Sequence, residues 1–181
     1  MSKIFLILLS FLFLQSCSNF DQQWVLDNPK KNRDLKKIEF GDIILTEKNW
    51  KNPMSWFGHS AIMIDNYRVG EYPSPFEDYH EMDVIIWLAY KSNDYSVLRY
   101  KNFDEEFSRF FKKNLITFKN KKYCFTDKKN PDSFYCSKFI WHLFWKTASD
   151  LGYSLDIDVS KGYFVTPYDL MHSKYFRKVE I

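Results

Sequence analysis

Hydrophobic positions in this chain come in short runs separated by turn-forming residues. Ile43, Ile44 and Leu45 follow Gly41-Asp42 and end at Thr46, a largely β-branched run that predicts a strand. Residues 56–64 predict a second strand, with Gly58 directly before His59 and then Ser60-Ala61-Ile62-Met63-Ile64. Residues 65–68 read as its turn and 69–72 as the next strand. On such a hairpin His59 and Glu71 fall on neighbouring strands with their side chains on one face. Residues 73–83, which contain Pro73 and Pro75, predict a loop. Runs 84–88 and 95–100 predict strands joined by a turn at 91–94. Residues 104–115 set Phe107, Phe110 and Phe111 on one side of an amphipathic helix. Residues 121–125 predict a short strand. After Pro131-Asp132 a strongly buried helix is expected to about 149, because Phe139, Ile140, Leu143 and Phe144 recur at helical spacing. Thr166 and Pro167 fit the N-cap and first position of a short closing helix. Short strands mixed with a few helices indicate an α+β fold.

Composition adds little to this outline. The 181 residues suit one main domain, at 38–181, and 45% hydrophobic with 27% charged residues is ordinary for a globular chain. Aromatics at 20% are high and promise a large core, with enough left over for an apolar groove. A net charge of +3, with Lys and Arg scattered along the chain, gives no case for a nucleic-acid partner. A monomer is expected, and no internal repeat is apparent.

The first residues have a different character. Lys3 precedes an almost wholly apolar run from Ile4 to Leu14, about eleven residues, too short for a permanent span but suited to a secretory signal. The run ends Leu14-Gln15-Ser16-Cys17, which resembles a bacterial lipobox, with Gln15 as a departure from the usual small or aliphatic residue. That resemblance implies a signal peptide at 1–16 and lipidation at Cys17. It also implies a membrane partner through the N-terminal lipid. Residues 17–37 would form a polar, Lys-rich tether. Ser18, not Asp, follows Cys17 and favours the periplasmic face of the outer membrane over the inner membrane. Export would also permit a Cys124–Cys136 disulfide, although Cys124 is more simply read as a core residue of its strand. Neither cysteine has a partner at metal-ligand spacing.

Cys136 falls at or near the first turn of the buried helix. Backbone N–H groups there lack intrahelical partners and the helix dipole is positive, so a thiol is pushed toward thiolate. Taken alone, Cys136 is more readily read as a small buried hydrophobe. A nucleophile needs a base and a group to orient that base. His142 lies six residues along the same helix, about 9 Å of rise away, and is expected in surface or interface packing. His80, among Glu77, Asp78, Glu81 and Asp83, and His172 read as solvated. His59 begins a hydrophobic strand, where an unpartnered ring is costly. It is the candidate base, or else a satisfied strand-end histidine.

Five segments now fall in one order: Gly41-Asp42-Ile43-Ile44-Leu45, Gly58-His59-Ser60-Ala61-Ile62, Glu71, Tyr135-Cys136-Ser137-Lys138-Phe139-Ile140 and Thr166-Pro167-Tyr168-Asp169-Leu170. This order resembles the circularly permuted papain-like amidases, the NlpC-related, YiiX-like group, over roughly residues 40–176. The resemblance implies a permuted papain-like fold, an antiparallel sheet packed against helices. It implies Cys136 as nucleophile, His59 as base and Glu71 as the orienting residue, with Glu77 and Glu81 open as competitors for that last role. Where the group has Ser-Glu after the cysteine, this chain has Ser137-Lys138, read here as exposed. The expected activity is cleavage of an amide, such as a peptidoglycan peptide, through a thioester and without a cofactor. A lipid-directed acyl hydrolase or acyltransferase on the same fold is the alternative, and a non-catalytic envelope binding module the third reading.

Overall fold

The computed structural model describes residues 35–48, 56–91 and 94–181. In chain order its elements are β1 (Ile43–Thr46), β2 (His59–Met63), β3 (Arg68–Glu71), β4 (His80–Asp83), α1 (Val84–Lys91), β5 (Tyr95–Tyr100), α2 (Glu105–Phe118), β6 (Lys122–Tyr123), β7 (Ser133–Phe134), α3 (Cys136–Asp150), α4 (Pro167–Met171) and β8 (Phe176–Val179). A 3-10 turn, Leu35–Lys37, precedes β1. The expected signal peptide at 1–16, Cys17 and all of the expected tether at 17–37 except the 3-10 turn at its end lie outside the described residues. Among the described residues no helix is long and apolar enough to cross a membrane.

Six strands form one antiparallel sheet in the order β4-β3-β2-β1-β5-β8. Strand alternation divides its side chains between two cores. Ile43, Leu45, Ile62, Leu98 and Tyr100 face α2 and α3, whereas Ile44, Ala61, Met63, Val69 and Val97 face α1 and Ile38. The result is an α+β architecture with helices on both faces of an antiparallel sheet.

Local chemistry fixes several elements. Asp42 is buried, and its carboxylate accepts from the Glu39 N–H at 2.8 Å and from Arg99 Nε and Nη2 at 2.8 and 2.7 Å. The Gly-Asp pair is thus a structural clamp between the start of β1 and β5. Asp104 caps α2 by accepting from the Phe107 N–H at 2.8 Å. Part of the high aromatic content is core. The Phe144 ring is fully buried, with centroids 5.1 Å from Phe111, 5.3 Å from Phe176, 5.5 Å from Tyr100 and 5.8 Å from Phe107. Phe144→Ala empties the meeting point of α2, α3 and the sheet. It is expected to cost about 3–5 kcal/mol, read as a lower midpoint in chemical denaturation.

Three regions differ from the sequence expectation. Residues 84–88 are helical, not extended. Their β-branched run favours a strand, but Asp83 accepts from the Ile85 and Ile86 N–H groups at 2.8 and 3.3 Å and caps a helix. Val84, Trp87 and Leu88 then recur on the side facing the sheet. The supposed loop at 73–83 ends in β4, a short polar edge strand paired with β3. The strand expected at 121–125 is only β6, and it pairs in parallel with β7.

Candidate active site

Cys136 is the first residue of α3. Tyr135 before it is extended and gives no side-chain cap, and the Phe139 N–H is the first to bond back, to the Tyr135 carbonyl at 2.9 Å. The N–H groups of Cys136, Ser137 and Lys138 therefore precede the first intrahelical bond and point out of the helix end. Cys136 itself is partly exposed. Two bonds hold the neighbouring chain against this helix start. The Tyr135 hydroxyl accepts from the Val165 N–H at 2.9 Å, and the Ser137 hydroxyl donates to the Val165 carbonyl at 2.7 Å. Thr166 and Asp169 then form a reciprocal capping box on α4. The Thr-Pro-Tyr-Asp-Leu segment is thus a structural device that positions residue 165 beside the cysteine.

His59 opens β2, opposite Thr46 of β1. Gly58 before it has φ +76°, and a Cβ there would lie 2.6 Å from the Thr46 carbonyl oxygen, so only glycine fits this entry to the strand. His59 Nε2 hydrogen-bonds to Glu71 Oε2 on β3, and both side chains are almost wholly buried. Lys91 Nζ, at the end of α1, stands 3.5 Å from the same oxygen. The Trp87 ring lies 6.2 Å from the imidazole. Glu77 is exposed, and Glu81 is paired with Arg68 at 2.8 Å, so neither competes with Glu71 for His59.

Burial opposes charge on all three groups and is the largest single influence on each. The Cys136 thiolate, by charge and hydrogen bond, and then Glu71 outweigh it and raise the His59 imidazole to about 9. The charge and hydrogen bond of His59, joined by the Ser60 and Ser137 hydroxyls, bring the Cys136 thiol down to about 7. His59, followed by Lys91, lowers Glu71 to about 2. Because Nε2 is engaged by Glu71, Nδ1 is the nitrogen left for the sulfur. The two shifts support each other and favour a thiolate beside an imidazolium.

The solved structure of the metalloprotein YiiX from Escherichia coli O157:H7 matches this arrangement of elements. The TM-score is 0.59 at 16% identity, over 79% of this chain and 97% of that one. The two chains share a fold. No family model and no curated protein matches the chain. The donors here do not fit a metal: Glu71 is committed to His59 and Lys91. Among the described residues no group of three His, Cys, Asp or Glu side chains is placed to hold an ion.

Other sequence expectations are corrected. His142 is not at the surface. It is buried between the rings of Phe118 and Phe134, with centroids 4.9 and 5.3 Å away, and burial pushes it down to about 4. The reason is that α3 is covered on nearly every side, so even its polar positions turn inward. Lys138 is likewise fully buried, not exposed. Its ammonium donates to Thr126 Oγ1 at 2.8 Å, and burial lowers it to about 8. Cys124 is exposed rather than core, because β6 ends before it, and both Cys124 and Cys136 are free thiols. His80 is half-buried on β4 opposite Glu71, whereas His172 is exposed against the Tyr168 ring.

The residues that sequence reasoning missed are Lys91, Trp87 and Ser60. The first two depend on α1, which the β-branched run concealed. A cavity of about 340 Å³ lies beside the start of β2, lined by Thr46, Glu47, Lys48, Phe57, Tyr168 and Met171 among others. A larger hollow of about 830 Å³ beside α2 includes no residue of the Cys136 cluster.

Proposed function

We propose that this chain is a cysteine hydrolase with a circularly permuted papain-like fold, acting on an amide bond in the cell envelope. The observation that carries the reading is His59, hydrogen-bonded through Nε2 to Glu71 and coupled to a cysteine at a helix N-terminus. In the proposed cycle the Cys136 thiolate attacks the carbonyl carbon and forms a C–S bond. The Cys136 N–H holds the oxyanion. Collapse breaks the C–N bond, and the departing amine takes the proton from His59. Neutral His59 then accepts a proton from water as water attacks the thioester. The acid leaves, and thiolate and imidazolium are restored. The resemblance of Leu14-Gln15-Ser16-Cys17 to a lipobox supports an envelope location and a membrane anchor, with the substrate as the other partner.

One observation favours an ester substrate with an apolar acyl group as the second reading: Phe57, Tyr168 and Met171 are exposed around the cavity beside β2. Full-length protein offered labelled muropeptide and labelled phospholipid vesicles in parallel separates the readings. Release of a new amine, with a transient acyl adduct on Cys136 by intact mass, supports the amidase. Turnover of phospholipid alone transfers the proposal to the lipid reading. Binding without adduct or turnover leaves a binding module and ends the hydrolase proposal.

A further inference from the structure

Lys91 closes α1 on the side that carries Val84, Trp87 and Leu88, so helical spacing turns it toward the sheet. On β3, strand alternation sets Glu71 on the face of Val69, which shares a core with Trp87 and Leu88. The two side chains meet there, with Lys91 Nζ 3.5 Å from Glu71 Oε2. That is the same oxygen that His59 Nε2 engages. The pair is not an ordinary surface ion pair, because only 4% of the Glu71 side chain and 17% of the Lys91 side chain are exposed. Charges so far removed from water are weakly screened and act strongly on one another. The rings of Trp87 and Tyr90 flank the ammonium, with centroids 5.5 and 5.7 Å from Nζ.

We propose that Lys91 is a positioning residue of the Cys136-His59-Glu71 unit, whose ammonium holds Glu71 as a carboxylate and loosens the grip of that carboxylate on the His59 proton. The inference rests on the hydrolase reading of Cys136. In that cycle His59 loses its proton to the departing amine, and the sulfur is then an uncharged thioester. Without Lys91, Glu71 would be a buried carboxylate beside a neutral ring. That state is costly and drives His59 to take a proton back from solvent. The Lys91 ammonium takes no part in the proton exchange and supplies the counter-charge for this interval. His59 is thereby left free to accept the proton of the attacking water. The sign is fixed by geometry: ammonium and imidazolium are like charges on one oxygen, so removing the first favours the second. The other titratable groups here are Cys136 at the start of α3 and His80 on β4, half-buried and paired with Glu71 in the sheet. Thr46 of β1, opposite His59, carries no charge.

The test is a titration of His59 in the full chain carrying ring-¹⁵N histidine, followed by NMR, with the thiols alkylated by iodoacetamide. Alkylation removes the charge on sulfur, as the thioester does. The His59 signal is identified by its loss in His59→Ala. Lys91→Met, with Lys91→Gln as the second charge-removing variant, is expected to raise the His59 midpoint by about one pH unit. Lys91→Arg is expected to keep it near wild type. A His80→Gln background removes the neighbouring ring and leaves the difference in place. A merely structural role would lower Tm and let the midpoint stay or fall toward the ordinary value of about 6.5. An unchanged or lower midpoint in a folded Lys91→Met or Lys91→Gln variant, or an equal rise in Lys91→Arg, overturns the Lys91 proposal alone. The hydrolase reading beneath it fails separately, if Cys136 of the wild type is alkylated no faster near pH 7 than an ordinary thiol.

Discussion

Cys136→Ala is expected to abolish turnover, by at least about 10⁴-fold, while Tm stays near wild type. In the proposed cycle the sulfur is the atom that forms the covalent bond, and the neighbouring Ser137 hydroxyl is committed to the Val165 carbonyl. His59→Ala is expected to approach the same loss, because members of a catalytic unit fail together rather than additively. Cys124→Ala serves as the control. That thiol is exposed on the chain after β6, and its replacement leaves both activity and Tm essentially unchanged. Full activity in Cys136→Ala would end the covalent mechanism. The pH profile gives a second reading of the same pair. Activity should rise through about pH 7 as the thiol ionises, and fall through about pH 9 as His59 loses the proton needed by the leaving group.

Glu71→Gln carries the second large effect, a loss of about 10²-fold to 10⁴-fold in kcat/KM with the fold retained. The amide keeps the shape of the carboxylate but not its charge. His59 Nε2 loses the counter-charge that helps hold the imidazole protonated, and the amide can present an N–H and select the wrong tautomer. Lys91 Nζ, 3.5 Å away and mostly covered, loses its carboxylate as well. The sign follows from the coupling: His59 falls from about 9, so its pull on Cys136 weakens and the thiol rises from about 7. The variant should therefore show a higher midpoint for Cys136 alkylation together with the lower kcat/KM. A loss of activity without that shift would assign Glu71 to packing.

How far the chain could be read in advance depended on whether short-range chemistry decided the outcome. The start of β1, the cap at Thr166 and the placement of Cys136 at a helix start are local, and each is legible from a few residues. His59 and Glu71 sharing a face is legible too, because a period of two is strict in a hairpin. What failed was set by tertiary burial. The Val84-Ile85-Ile86 run has strand propensity, yet one cap at Asp83 and one apolar side toward the sheet make it α1. β4 and β8 carry too few apolar residues to stand out as sheet edges. Lys138 and His142 look like surface residues of an amphipathic helix, but α3 is enclosed by α2, the sheet and the chain after β6. Ser60 could not be found by asking which residues share a face with His59, since strand alternation turns it to the other face.

The most direct measurement is the rate of Cys136 alkylation by iodoacetamide from pH 5 to 10, resolved by peptide mass, in wild type and His59→Ala. An activated pair predicts a wild-type midpoint near pH 7. It predicts a His59→Ala midpoint at or above the ordinary thiol value of about 8.5. A wild-type midpoint already at that ordinary value, indifferent to His59, would contradict the account and leave Cys136 an unactivated thiol at the start of a buried helix.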